Sequence, residues 1–144
     1  MSVEPVPKGY QSVVPYLMVE DPESLIQFLK AAFNAKEQFR MPGADEKVQH
    51  AEVSIGDSRI MMGASTKDHP PMVSMFYLYV HDADAAHKQA VAAGGKSLHD
   101  PEDMFYGDRA GAVEDASGNT WWVATRKKEL SQDELKKAMA SKKM

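Results

Sequence analysis

Two stretches of the chain, 61 positions apart, carry the same order of apolar and polar residues. Residues 12–19 and 75–80 are rich in β-branched and aromatic side chains, each run is followed by an acidic turn, and each reads as a strand. After the first, Asp21 is placed to cap a helix and Pro22 to occupy its first position, where a missing N–H costs nothing. Leu25, Phe28, Leu29 and Ala32 then recur at helical spacing, which predicts a helix ending near Asn34. Short strands are predicted over 37–41, 48–55 and 59–63, with Pro42-Gly43-Ala44-Asp45 breaking the first gap and Gly56-Asp57 turning a tight hairpin.

The second copy repeats this order. A strand over 75–80 leads to an alanine-rich helix capped by Asp82 or Asp84, running through Ala93 and stopped by Gly94-Gly95. Three strands follow at 96–98, 110–114 and 120–125. Tyr16/Tyr77, Leu17/Leu78, Val19/Val80, Asp21/Asp82, Ala31/Ala92 and Ala32/Ala93 are identities between the copies, and the pattern is that of an internal duplication. Residues 66–72, with Pro70-Pro71, link the halves. Ser131-Gln132-Asp133-Glu134 is a capping box opening a last helix to about Lys143. The fold class is therefore α+β: βαβββ twice, plus a C-terminal helix. One such half leaves a sheet face open, which must be buried against the other half or against a partner chain.

Composition narrows the chemistry. With 144 residues, 43% hydrophobic and 26% charged, the chain is of ordinary globular make-up and one domain in size. It contains no cysteine, which removes disulfides, thiolate catalysis and cysteine-ligated metal centres. No apolar run is long enough for a membrane span, and the N-terminus lacks the basic and apolar regions of a secretory signal, so a cytoplasmic protein is expected. Residues 126–144 hold seven basic against three acidic groups and the rest of the chain ten against eighteen. An acidic body argues against a nucleic-acid partner, and the basic tail reads as a solvated helix. Serine-hydrolase, zincin, P-loop and dinucleotide-binding motifs are missing.

The paired modules resemble the vicinal oxygen chelate superfamily of glyoxalases, bleomycin-resistance proteins and extradiol dioxygenases, and in particular its small PhnB-like bacterial branch. The resemblance is carried by Val14-Pro15-Tyr16-Leu17 with Asp21, by His50-Ala51-Glu52 with Ile55-Gly56-Asp57-Ser58, by Tyr106-Gly107-Asp108-Arg109 with Gly111, and by Asp115-Ala116-Ser117-Gly118-Asn119-Thr120-Trp121. The last departs from the branch's usual turn at Ala116, Ser117 and Asn119. The resemblance implies a single domain over residues 10–130, with modules at 10–65 and 73–125, preceded by a flexible segment 1–9 and followed by the basic helix 131–144. It further implies one curved mixed sheet around a concave cleft, and a homodimer, since members commonly pair modules between chains. Metal-using members take one ligand from the first and one from the last strand of each module. The matching positions here are Val14, Met61, Met75 and Trp122. Valine and tryptophan offer no lone pair and thioethers suit soft ions, so no metal and no cofactor is expected.

Period-two alternation then assigns faces. Ala51, Val53 and Ile55 are to cover the helix, whereas His50, Glu52 and Ser54 face the cleft. Tyr16 shares a face with Val14 and Met18, and Met75 with Tyr77 and Tyr79, giving a cleft rich in methionine and tyrosine, suited to a small hydrophobic or aromatic ligand. His50 and Glu52 are either an acid–base pair or a solvated strand edge. Asp108-Arg109 is either a surface salt bridge or the place where Arg109 grips a ligand carboxylate or phosphate. Phe105 and Tyr106 form a lid, a subunit contact or simply an exposed loop; Trp121 and Trp122 point to opposite faces. The candidate ligand-binding set is Tyr16, Met61, Met75, Tyr77, Tyr79, Tyr106, Arg109 and Trp122, with His50 and Glu52 as candidate catalytic residues. The leading expectation is a metal-independent small-molecule binder. The alternative is a glyoxalase-type lyase or isomerase with His50 or Glu52 as base and a divalent ion in a non-standard position. A third is an interaction module docking an acidic partner through the basic helix.

Overall fold

The computed structural model describes residues 3–141. Its elements run β1 (Tyr16–Val19), α1 (Pro22–Phe33), β2 (Lys36–Pro42), β3 (Val48–Ile55), β4 (Ser58–Ala64), β5 (Met75–Tyr79), α2 (Ala83–Ala92), β6 (Lys96–Asp103), β7 (Asp108–Glu114), β8 (Thr120–Arg126) and α3 (Gln132–Ser141). The two βαβββ modules and the C-terminal helix are present. The Asp21 side chain accepts from Ser24 N at the start of α1 and Asn34 closes it with a left-handed φ of 58°, while Asp82 caps α2. At α3 the box closes both ways, Ser131 N to Glu134 Oε1 at 3.0 Å and Glu134 N to Ser131 Oγ at 3.1 Å. The last predicted residues of that helix, 142 and 143, lie outside the described residues.

Each module makes its own four-stranded mixed sheet, in the orders β1-β4-β3-β2 and β5-β8-β7-β6. The first strand of each runs parallel to the last, and the other pairs are antiparallel. The duplication is visible in the register: Tyr16 lies beside Met61, and Tyr77 beside Trp122. Among the described residues no ladder joins the two sheets, so one chain holds two curved halves and not one continuous sheet. Three strands differ from the sequence pattern by more than one residue at an end. β1 is confined to Tyr16–Val19, β6 runs on to Asp103 past Pro101, and β7 begins at Asp108. Pro101 is tolerated because β6 is an edge strand, with register shifts at that point.

The halves meet through their helices. α1 covers β2, β3 and β4, α2 covers β6, β7 and β8, and the two helices pack on each other. Leu17, Val19, Val53, Ile60 and Met62 from the first sheet, Leu25, Ile26 and Leu29 from α1, and Val113, Trp121 and Val123 from the second sheet form one buried cluster. Phe33 meets Trp121 at 5.4 Å, and Phe76 stacks on the same indole at 4.4 Å. Asp115, buried, accepts the Trp121 Nε1–H at 2.9 Å and ties the following turn through Ser117 N and Asn119. With the helices lodged between the sheets, the other face of each sheet is left outside the shared core. No helix among the described residues is long and apolar enough to cross a membrane.

Candidate functional site

The outer face of the first sheet carries a chain of polar side chains. Alternation along β3 turns Ala51, Val53 and Ile55 into the core and leaves His50 and Glu52 on the open side. The Tyr16 hydroxyl on β1 lies 3.0 Å from His50 Nδ1, and His50 Nε2 lies 2.9 Å from Glu52 Oε2. The other carboxylate oxygen accepts from the Tyr10 hydroxyl and from Arg59 Nη1 at 3.3 Å. Arg59 also lies over the Tyr10 ring at 4.2 Å, a cation–π contact. Gln11 fixes this strap by giving its amide to Arg59 O at 2.7 Å and taking Arg59 N at 3.2 Å.

Glu52 is only 6% exposed. Burial pushes its carboxyl up, but hydrogen bonds from His50, Tyr10 and Arg59 outweigh this and hold it below its ordinary value. Tyr16, by contrast, is 46% exposed, so the chain runs from an accessible phenol through a half-buried imidazole to a buried carboxylate. Phe39 and Met41 from β2 stand exposed beside His50, and Met61 lies opposite Glu52.

The outer face of the second sheet is built differently. Asp108 is 5% exposed, and its Oδ2 accepts from Tyr77 at 2.7 Å and Tyr79 at 2.9 Å. Tyr106 from the β6–β7 loop meets the Tyr77 hydroxyl at 3.0 Å. Burial and the hydrogen bonds to Tyr106 and Asp108 push the Tyr77 phenol far above its ordinary range; the Asp108 hydrogen bond, then burial, raises Tyr79. Tyr77 and Tyr79 stand edge to face at 5.4 Å, and Trp122 lies 6.5 Å from Tyr77 with its other neighbour, His99, at 5.5 Å. A cavity of about 560 Å³ opens beside Tyr79, Tyr106 and Asp108, walled also by Arg126, Lys128 and Leu135.

The structure thus gathers Tyr16, His50, Glu52 and Met61 on one outer face and Tyr77, Tyr79, Tyr106 and Trp122 on the other, with Met75 exposed at the start of β5. Arg109 joins neither group. It follows Asp108 along β7 and so points to the helix side, where it pairs with Asp84 of α2 at 2.7 and 2.9 Å and with Asp103 at 3.3 Å. Of the two readings the sequence leaves open for it, the geometry shows the salt bridge. Asp108, which the sequence left as half of a turn pair, is instead the acceptor at the centre of the second face. Tyr10 and Arg59 were also missed; both reach Glu52 from outside the alternating pattern of β3.

The positions aligned with family metal ligands do not fit a hard divalent ion. Val14 and Trp122 have no donor lone pair, and Met61 and Met75 bring thioethers. The nearby carboxylates are engaged, Glu52 by His50, Tyr10 and Arg59 and Asp108 by two phenols. Among the described residues no three histidine, aspartate or glutamate side chains gather as a metal-binding group.

Comparison with known proteins places this architecture. Residues 10–123 match the family described as the Glyoxalase/Bleomycin resistance protein/Dioxygenase superfamily. The chain belongs to that superfamily. An uncharacterised protein of Mycobacterium bovis is 33% identical over 138 residues, covering 88% of this chain and 91% of the relative. Among solved structures of the glyoxalase-like fold, TioX from Micromonospora superposes with a TM-score of 0.71 at 21% identity, over 81% of this chain and 98% of TioX. A gene product of Arabidopsis thaliana gives 0.63 at 27% identity, over 80% and 98% of the two chains. Glyoxalase/bleomycin resistance membership is consistent with the two βαβββ modules.

Proposed function

We propose that the protein is a metal-independent small-molecule binder of the glyoxalase/bleomycin resistance superfamily, holding a hydrophobic or aromatic ligand. The observation that carries this reading is the pair of outer sheet faces. Each presents exposed rings over a buried, hydrogen-bonded carboxylate, and each is open on the side away from the shared core. Tyr16, Phe39 and Met41 on one face and Met75, Tyr77 and Tyr79 on the other are large apolar or amphipathic side chains left in solvent, an arrangement that marks surfaces awaiting a ligand or a partner. The two faces do not meet within one chain, because the helices lie between the sheets. A homodimer in which module one of one copy faces module two of the other completes the cleft, with a methionine- and tyrosine-rich wall on each side.

Thermal shift against a panel of planar aromatic compounds, with and without EDTA, tests the binding. Saturable stabilisation unchanged by chelator supports it; no stabilisation across the panel, or stabilisation that EDTA abolishes, overturns it. Light scattering across a concentration series tests the dimer, and a monomer at all concentrations refutes the shared cleft. The contact between His50 and Glu52 favours one second reading, a lyase or isomerase with His50 as base. Stoichiometric metal in protein purified without chelator, lost in His50→Ala, would select that reading.

A further inference from the structure

Resting on the small-molecule reading above, we propose that the ligand held over module one carries an acidic hydroxyl of the phenol or enol class, and that Tyr16 and His50 take up its proton. The order of the hydrogen bonds sets the direction. The Glu52 carboxylate can only accept, so His50 carries a hydrogen on Nε2, and in that tautomer Nδ1 accepts from the Tyr16 hydroxyl. Tyr16 is the exposed end of the chain, and a lone pair left on its oxygen can take a donor from outside.

The fold does not require this chain. Gly63 and Ala124 are duplicates, as are Met61 and Trp122. His50 lies opposite Gly63 and Glu52 opposite Met61, while Ala110 lies opposite Ala124 and Ala112 opposite Trp122. Module two thus closes the same sheet with two buried alanines. A buried carboxylate that the scaffold can do without, tied to an imidazole and an exposed phenol, is a built proton path. The charged and titratable groups facing His50 are Tyr16 from β1 and Glu52 from its own strand, with Tyr10 and Arg59 behind Glu52; β2 adds only Phe39 and Met41, and β4 only Gly63. Those apolar neighbours suit the ring that bears the hydroxyl.

In the transfer the ligand O–H bond breaks and its proton passes to Tyr16 Oη as the Tyr16 proton passes to His50 Nδ1. The imidazolium formed is held by the Glu52 carboxylate, and the ligand oxyanion accepts the new Tyr16 hydroxyl. Nothing is oxidised or reduced and the total charge is unchanged. A ligand whose hydroxyl has acidity near that of imidazole is the best match.

The test uses the full chain with para-nitrophenol, whose colour reports its ionisation, and para-nitroanisole, the same ring without the proton. Bound para-nitrophenol is expected to ionise at lower pH than in free solution, its acid constant raised about tenfold or more. In Tyr16→Phe and in His50→Gln the displacement should vanish, and in Arg109→Ala it should persist. Tyr16→Phe keeps the ring and decides the matter if His50→Gln does not fold. Binding of both compounds with no displacement overturns the proton uptake and leaves the binding reading standing; binding of neither overturns both. A displacement that survives Tyr16→Phe also overturns the proposal.

Discussion

Glu52 and Ala112 hold the same place in the two halves of the chain, the one opposite Met61 and the other opposite its duplicate Trp122. Both are buried, but Glu52 is a carboxylate with three side-chain partners and Ala112 a methyl with none to satisfy. Glu52→Ala should cost about 2–4 kcal/mol, because it leaves Arg59 half-buried without its counter-ion and His50 without its acceptor. Ala112→Glu should also be destabilising, since its cross-strand neighbours are Trp122 and a His99 already engaged by Glu102 and the Asp100 carbonyl. Denaturant unfolding of the two variants checks both.

The acid limb of stability follows from the same carboxylate. Its folded-state value lies below the ordinary 4.5, so its contribution is complete above that value and is lost as pH falls through the lower, folded one. Wild type should lose stability faster than Glu52→Gln below about pH 4.5. Unfolding midpoints at a series of acidic pH values decide it, and parallel curves would contradict the shift.

Gly63 is an opening for Tyr16. A Cβ at this position would sit 2.7 Å from the Tyr16 hydroxyl oxygen and 3.1 Å from its ring. The phenol is the free end of a side chain and can swing aside, so Gly63→Ala should fold cooperatively with a change of about 1 kcal/mol or less. It should nevertheless lose the Tyr16–His50 hydrogen bond. Nitrogen-detected NMR of the His50 ring would show this as a change at Nδ1 with Nε2 unaltered.

Asp108 supports two phenols at once. Asp108→Ala would leave the Tyr79 hydroxyl without its acceptor and Tyr77 with Tyr106 alone, and cost about 1–3 kcal/mol. It should also bring their ionisation down toward the ordinary tyrosine value, since the Asp108 hydrogen bonds are among the causes that raise it. An alkaline absorbance titration of wild type and variant measures the difference.

Arg109 pairs with exposed carboxylates on the helix side. Arg109→Ala should therefore move the melting temperature no more than an ordinary surface substitution and leave ligand affinity untouched. A large loss of affinity would return it to the cleft.

Much of the candidate site was legible because alternation is a local rule. Residues two apart on β3 share a face whatever the rest of the chain does, which put His50 with Glu52 and against Ala51. Asp108 escapes because the apolar run begins at Ala110; extended by one pair, the same rule puts Asp108, Ala110 and Ala112 together and turns Arg109 away. Tyr10 lay beyond any periodic reading, since it comes from an irregular segment 42 residues before Glu52.

The sequence by itself determined the duplicated modules, the caps of their helices and which side chains share a sheet face, since propensity, capping and alternation act over a few residues. Only the tertiary structure decided that α1 and α2 pack between two separate sheets, so that Tyr16 and Tyr77 open outward on different faces, and that Tyr10 and Arg59 close on Glu52. Those outcomes depend on which buried surfaces fit together across the chain, and shape complementarity between distant segments leaves no periodic trace in the order of residues.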